Sequence, residues 1–276
     1  MFIPKMMNAK CELGDFQMLQ DQLMLFTHIP KTGGTSFKRS VIDANISKGS
    51  IYNYYGMNGL LKDNLDGCKF VEGHYPYGIH KLIWKKCVYI TLLREPLDHA
   101  ISYYYFIKQC NYPNYKHPKL REVETHSLTE FWNLPHNRNL QTKLIAGIPV
   151  SKFLPDGSDE LLSAALSRLK SKYLCYGILE KIGLFEAQVS ALFGWNYTEI
   201  YEQSKKTICR PKVQDLKSEE IDKLKSSLSL DMRLYADAKM NVALGNSINT
   251  SLLDRKIKWV PEARQLTHFC SSLLQW

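Results

Sequence analysis

Leu23-Met-Leu-Phe-Thr-His-Ile29 runs directly into Pro30-Lys-Thr-Gly-Gly-Thr-Ser36. The first stretch is a short apolar run suited to a buried strand. The second is a turn-rich loop with a proline and two adjacent glycines. Residues 36–44 then read as a helix, so the unit is strand, glycine-rich loop, helix. A second unit of the same kind lies downstream. Cys87-Val-Tyr-Ile-Thr-Leu-Leu93 has the β-branched and aromatic content of a buried strand. Arg94-Glu-Pro96 breaks it, and Leu97, Ile101, Tyr104, Tyr105 and Lys108 follow helical spacing over 97–108. A proline just inside a helix start is favourable, because its missing N–H is an orphan there anyway.

Working outward, residues 67–73 predict a further short strand leading to His74-Tyr-Pro-Tyr-Gly-Ile-His80, and 173–179 predict another. Helices are expected at 138–146, 159–171, 181–194 and 218–243. Ser218 is placed to cap the last, with Glu219 and Glu220 complementing its dipole. Residues 110–136, with Pro113, Pro118 and Pro135, read as a surface excursion holding a short helix near 128–132. Strands alternating with helices imply an α/β fold with a central, mainly parallel sheet, of the P-loop-like three-layer sandwich type. One catalytic domain is expected over 1–244, with its core at about 23–242. The tail 245–276 carries apolar residues such as Trp259 and Trp276 that suggest packing against something.

The chain has 276 residues, enough for one large domain with a sizeable core. Hydrophobic residues make up 45% and charged residues 23%, which excludes disorder, collagen and coiled coil. No apolar run approaches the ~18 residues of a membrane span, and the first residues lack a signal-peptide pattern. The formal charge of +9 points to an anionic ligand: nucleic acid, anionic glycan or a phosphate-rich cofactor. Seven cysteines at wide spacings, with no CxxC, read as reduced thiols in a reducing compartment. A cytoplasmic protein is therefore expected. The sequons at Asn45, Asn196 and Asn249 read as chance matches.

Two loops carry the chemistry. In the first, Gly33 and Gly34 let backbone N–H groups approach an anion, and the helix start adds donors and partial positive charge. Lys31 adds an ammonium, and Thr32, Thr35 and Ser36 add hydroxyls. The order of residues is not that of a Walker A loop, since the lysine precedes the glycines. In the second, Arg94 stands at the end of its strand and Ser102 about two turns into the next helix. A guanidinium fork plus a hydroxyl suits a second phosphate.

Phe26-Thr-His-Ile-Pro-Lys-Thr-Gly-Gly-Thr-Ser-Phe37 resembles the 5′-phosphosulfate-binding motif of sulfotransferases. Tyr89-Ile-Thr-Leu-Leu-Arg-Glu-Pro-Leu-Asp-His-Ala-Ile-Ser-Tyr-Tyr-Tyr105 resembles their 3′-phosphate-binding motif. The likeness is greatest to heparan sulfate 2-O- and 6-O-sulfotransferases and their bacterial homologues. Gly73-His74-Tyr-Pro-Tyr-Gly78, Asn139-Leu-Gln-Thr142, Tyr176-Gly-Ile-Leu-Glu180 and Leu230-Asp-Met-Arg-Leu-Tyr235 also look like family segments. The resemblance implies 3′-phosphoadenosine-5′-phosphosulfate (PAPS) as donor, 3′-phosphoadenosine-5′-phosphate (PAP) as product, no metal, and a hydroxyl-bearing acceptor, most naturally a carbohydrate; it also brings in a trimmed Golgi luminal domain, expected less than a cytoplasmic enzyme.

Sulfuryl transfer requires a base for the acceptor and positive charge at the leaving phosphate. His74 is the candidate base: neutral imidazole, with an ordinary pKa near 6.5, suits the task, and the resembled family has its catalytic histidine in a matching Gly-His position. Lys31 is placed to stabilise the bridging oxygen. Glu72 and His80 are further candidates for acid/base roles, Glu72 either orienting His74 or acting as base itself. His28 reads as structural support. Residues 203–214 form a basic run, in which Thr207 and Arg210 best fit the family's loop over the cofactor. Tyr75, Tyr77, Tyr103, Tyr104, Tyr112 and Tyr115 are candidates for stacking on sugar rings, although most aromatics at helical spacing are core.

Two alternatives remain. A P-loop-type kinase would require ATP and Mg²⁺. A non-catalytic binder of anionic glycan or nucleic acid would show steep salt dependence, although no nucleic-acid-binding motif is present and no nucleic-acid partner is expected.

Overall fold

The computed structural model describes residues 19, 21–147, 154–196 and 210–252. Along the chain, β1 (Leu23–Thr27) leads through the glycine-rich loop to the composite helix α1. That helix is regular over Gly34–Phe37, π-type over Lys38–Ile42 and regular again over Asp43–Asn45. Next come β2 (Ile51–Asn53), α2 (Met57–Lys62), β3 (Phe70–Gly73) and β4 (Cys87–Leu93), then α3 (Pro96–Gln109). The hairpin β5 (Asn111–Tyr112) and β6 (Tyr115–Lys116) precedes α4 (Leu120–Thr125), α5 (Leu128–Asn133) and α6 (Leu140–Ala146). The remainder is α7 (Asp159–Ser171), β7 (Tyr173–Ile178), α8 (Ile182–Phe193), α9 (Ser218–Ser227) and α10 (Ser229–Ala243).

The sheet runs β2-β3-β1-β4-β7, with every pairing parallel. Alternation along β1 sorts its side chains into two layers. Leu23 and Leu25 join a core with Leu97, Ile101, Trp132, Ile145 and Leu169 from α3, α5, α6 and α7. Met24 and Phe26 join a second core with Phe37, Val41, Phe185 and Val189 from α1 and α8. Both sheet faces are thus covered, which is why β1 and β4 read as continuous apolar runs.

Several local expectations shift. The edge strand β2 was not foreseen; it is three residues long and has only one buried side chain. Ser218 does not cap its helix: the helix starts at Ser218, and the Glu220 carboxylate accepts from the Lys217 N–H at 3.0 Å. The span 218–243 is two helices, parted at Leu228. The side-chain oxygen of Asn139 accepts from the N–H groups of Leu230 and Asp231, satisfying first-turn donors of α10. A cap supplied from 91 residues away leaves no trace in local periodicity. At the start of the expected tail, the backbone bonds Tyr176 to Ser247 and Asn249 to Leu174, adding an antiparallel bridge to β7.

Candidate functional site

The strands β3, β1 and β4 are neighbours, so their carboxyl ends set the segments 74–78, 28–36 and 94–96 side by side. This is where open α/β sheets bind ligands. In the central loop, Thr32 is buried and its hydroxyl donates to the Ile29 carbonyl at 2.8 Å, closing the turn. Lys31 has φ of 63° and Gly33 has φ of 92°. Gly33 is followed by Gly34 at the helix start, and successive left- and right-handed residues form a concave nest of N–H groups that favours an anion. Gly34 is fixed by space: a Cβ there would stand 2.3 Å from the His28 ring. Thr35 and Ser36 are half-buried in the first turn of α1. The Lys31 ammonium lies 4.5 Å from the centre of the Phe106 ring.

His74, just past β3, is exposed. Its Nδ1 is 2.5 Å from the His28 carbonyl oxygen, and its ring centre is 4.6 Å from that of His28. A carbonyl only accepts, so Nδ1 carries the proton and the lone pair of the neutral ring sits on Nε2. That is the form a general base needs. Glu72 faces His28 instead, with 4.0 Å between its carboxylate and His28 Nδ1. His80 belongs to a different cluster, bonded through Nδ1 to the Tyr89 hydroxyl at 3.0 Å. Burial, helped by Lys81, Lys172 and Arg168, pushes its pKa down to about 4.

Arg94 is 8% exposed and heavily engaged. It donates to Asp98 through Nε (2.9 Å) and Nη2 (2.5 Å), and through Nη1 to the Lys31 carbonyl (2.7 Å) and the Ser102 hydroxyl (3.0 Å). Arg210 donates to the other oxygen of Asp98 at 2.6 Å. Burial alone would raise the Asp98 carboxyl, but the hydrogen bonds and charges of Arg210 and Arg94 hold it below the usual range. Two guanidinium groups therefore converge on the Asp98 carboxylate, with the Ser102 hydroxyl against one of them. Thr207 and the rest of the basic run before Arg210 lie outside the described residues.

The weaker sequence segments meet behind this loop. Gln141 clamps the Arg94 backbone, accepting from its N–H at 3.0 Å and donating to its carbonyl at 2.9 Å. Asp231 accepts from the N–H groups of Gln141 and Thr142 and from the Thr142 hydroxyl. Glu180 accepts from the Glu95 N–H and the Tyr235 hydroxyl. Sequence reasoning missed Asp98, whose four-residue spacing from Arg94 on a helix start was the available signal. It also missed the part played by Gln141, which contact across 47 residues hides.

Among the proposed stacking residues, Tyr75, Tyr103 and Tyr104 are core, so they do not face a ligand. Tyr77 is packed against Tyr89 and Arg168. Tyr112 and Tyr115, paired across the hairpin, are 58% and 55% exposed. Among the described residues, no group of His, Cys, Asp and Glu is arranged to hold a metal.

No protein-family profile matches the chain. It is 25% identical over 244 residues to a heparin sulfate O-sulfotransferase of Drosophila melanogaster, covering 74% of this chain and 66% of that protein. It is 25% identical over 222 residues to heparan sulfate 2-O-sulfotransferase 1 of Homo sapiens, covering 69% and 61%. The protein of the same name from Pongo abelii is 26% identical over 223 residues. The chain thus spans slightly less than two thirds of the length of these curated relatives. A solved mouse sulfotransferase complexed with PAP aligns over 83% of this chain and 89% of its own, at 13% identity and a TM-score of 0.45.

Proposed function

We propose that the chain is a sulfotransferase that moves a sulfuryl group from PAPS to a hydroxyl of a carbohydrate acceptor. The observation that carries this reading is the pairing of two anion-binding loops on adjacent strands, joined by the Arg94–Lys31 hydrogen bond. One ligand with two separated phosphate groups spans such a site. The curated relatives, all heparan- or heparin-sulfate O-sulfotransferases by name, support the same donor and an acceptor of glycan type.

In this reading the nest at Gly33–Gly34, with Lys31, Thr35 and Ser36, holds the 5′-phosphosulfate. Arg94, Ser102 and Arg210, with Thr207, hold the 3′-phosphate. His74 Nε2 takes the acceptor proton as the new sulfur–oxygen bond forms and the bond to the bridging phosphate oxygen breaks. The Lys31 ammonium balances charge on that oxygen. His28 holds His74 in its working tautomer, and Glu72 acts on His28, not as the base. The exposed Tyr112 and Tyr115, with neighbouring Lys116, offer ring faces and charge to an anionic sugar chain. None of the helices among the described residues is long and apolar enough to cross a membrane. Free thiols at Cys68, Cys87 and Cys175 favour a reducing, cytoplasmic setting.

The test is transfer of radiolabelled sulfate from PAPS to desulfated heparan-type oligosaccharides, with ATP and Mg²⁺ in parallel. Labelled glycan, lost in His74→Ala, is the expected result. Phosphorylation from ATP instead, or no transfer to any hydroxyl acceptor by protein that binds PAP, would overturn it.

A further inference from the structure

His99 is fully buried in the first turns of α3. Its Nε2 stands 2.9 Å from the Pro30 carbonyl oxygen, so Nε2 carries the proton. Its Nδ1 has no hydrogen-bond partner. The ring lies parallel to Tyr103 and packs against Trp132, which fixes the direction of its single bonded donor. Burial, with Arg94 nearby, keeps the ring neutral and pushes its pKa down to about 3.

One residue further along the same loop, Arg94 donates to the Lys31 carbonyl. Two successive carbonyls of the glycine-rich loop are thus turned toward the Arg94–α3 unit. In a planar trans peptide the C=O and N–H point in opposite directions. Fixing the two carbonyls therefore fixes the directions of the Lys31 and Thr32 N–H groups. It also holds Lys31 at φ of 63°, a conformation a non-glycine residue adopts only at a cost.

We propose that His99 is a positioning residue for the 5′-phosphate end of the site: through the Pro30 carbonyl it holds Lys31 and the following nest in their ligand-binding shape before the ligand arrives. This rests on the reading of the site as one for PAPS. His99 touches no ligand in this scheme. Its effect passes through one backbone oxygen, and its orphaned Nδ1 marks a ring placed for one donor, not for a hydrogen-bond network.

The experiment is calorimetric titration of wild type, His99→Leu, His99→Gln and His99→Asn with PAP and with adenosine 3′-monophosphate, with melting temperature monitoring the fold. A glutamine amide reaches the place of Nε2, whereas asparagine reaches only that of Nδ1. His99→Leu and His99→Asn are expected to bind PAP about tenfold more weakly. Their affinity for adenosine 3′-monophosphate should match wild type, and His99→Gln should recover most of the PAP affinity. Should His99→Leu not fold, the contrast between His99→Gln and His99→Asn decides. Unchanged PAP binding in every variant, equal loss of both ligands, or no recovery with glutamine would each overturn the proposal while the sulfotransferase reading stands. Failure of wild type to bind PAP would instead overturn that reading.

Discussion

Arg210 donates to Asp98 Oδ1 at 2.6 Å, across 112 residues of sequence, while Arg94 holds Oδ2 of the same carboxylate. Asp98 thereby gathers two guanidinium groups at the end of β4. Charge-assisted contacts of this kind are the strong ones. Arg210→Ala should weaken PAP by roughly 10–100-fold and erase most of its advantage over adenosine 5′-monophosphate. Calorimetry with the two nucleotides checks this, and retained selectivity would remove Arg210 from the 3′-phosphate site.

His74 bonds a backbone carbonyl through Nδ1. It is exposed, so its removal leaves the core intact. His74→Ala should lower turnover by roughly 10²–10⁴ with PAP affinity nearly unchanged. Single-turnover rates and titration on the same preparation separate the two effects; turnover at the wild-type level would rule His74 out as base.

Gln141 satisfies both backbone groups of Arg94, and all three residues of this brace, Arg94, Gln141 and Asp231, are buried. Gln141→Leu leaves an N–H and a carbonyl without partners, at a cost of about 1–3 kcal/mol each. A lower melting temperature and weaker PAP binding are expected together. A melting temperature at the wild-type level in Gln141→Leu would show that the clamp is dispensable.

Asp231 gives a pH signature. Burial pushes its carboxyl up from 3.8 to about 6, against the pull of hydrogen bonds from Thr142 and Gln141 and the charge of Lys143. The folded state therefore holds this proton more tightly than the unfolded chain does. The contribution is fully present below the unfolded value and is lost as pH rises through about 6. In urea unfolding across this range, wild type should lose stability relative to Asp231→Asn as pH increases. Parallel curves for the two proteins would contradict the assignment.

The strand–loop–helix units around Leu23–Ser36 and Cys87–Ser102 were legible because each is local: an apolar run, a turn and a helical period. Residue types alone singled out the two loops as candidates for anions, and His74 became the candidate base from its place after a strand together with the matching Gly-His of the resembled family. What could not be read was any relation between segments far apart. Asn139 capping α10, Gln141 clamping Arg94 and Glu180 holding Glu95 each join positions that no window spans. His99 carried no signal because a histidine at helical spacing looks the same whether it fills core or holds a loop. Tyr75, Tyr103 and Tyr104 took the core place that such aromatics more often have, for aromatic residues near a site are as readily its foundation as its surface.

In the proposed function two anion sites, at the ends of β1 and β4, serve one ligand. Calorimetric titration with PAP, with adenosine 5′-monophosphate as control, tests it most directly, alongside Arg94→Ala. Micromolar binding of PAP, much weaker binding of the monophosphate, and loss of that difference in Arg94→Ala are predicted. Folded wild-type protein that binds PAP no better than the monophosphate would contradict the account.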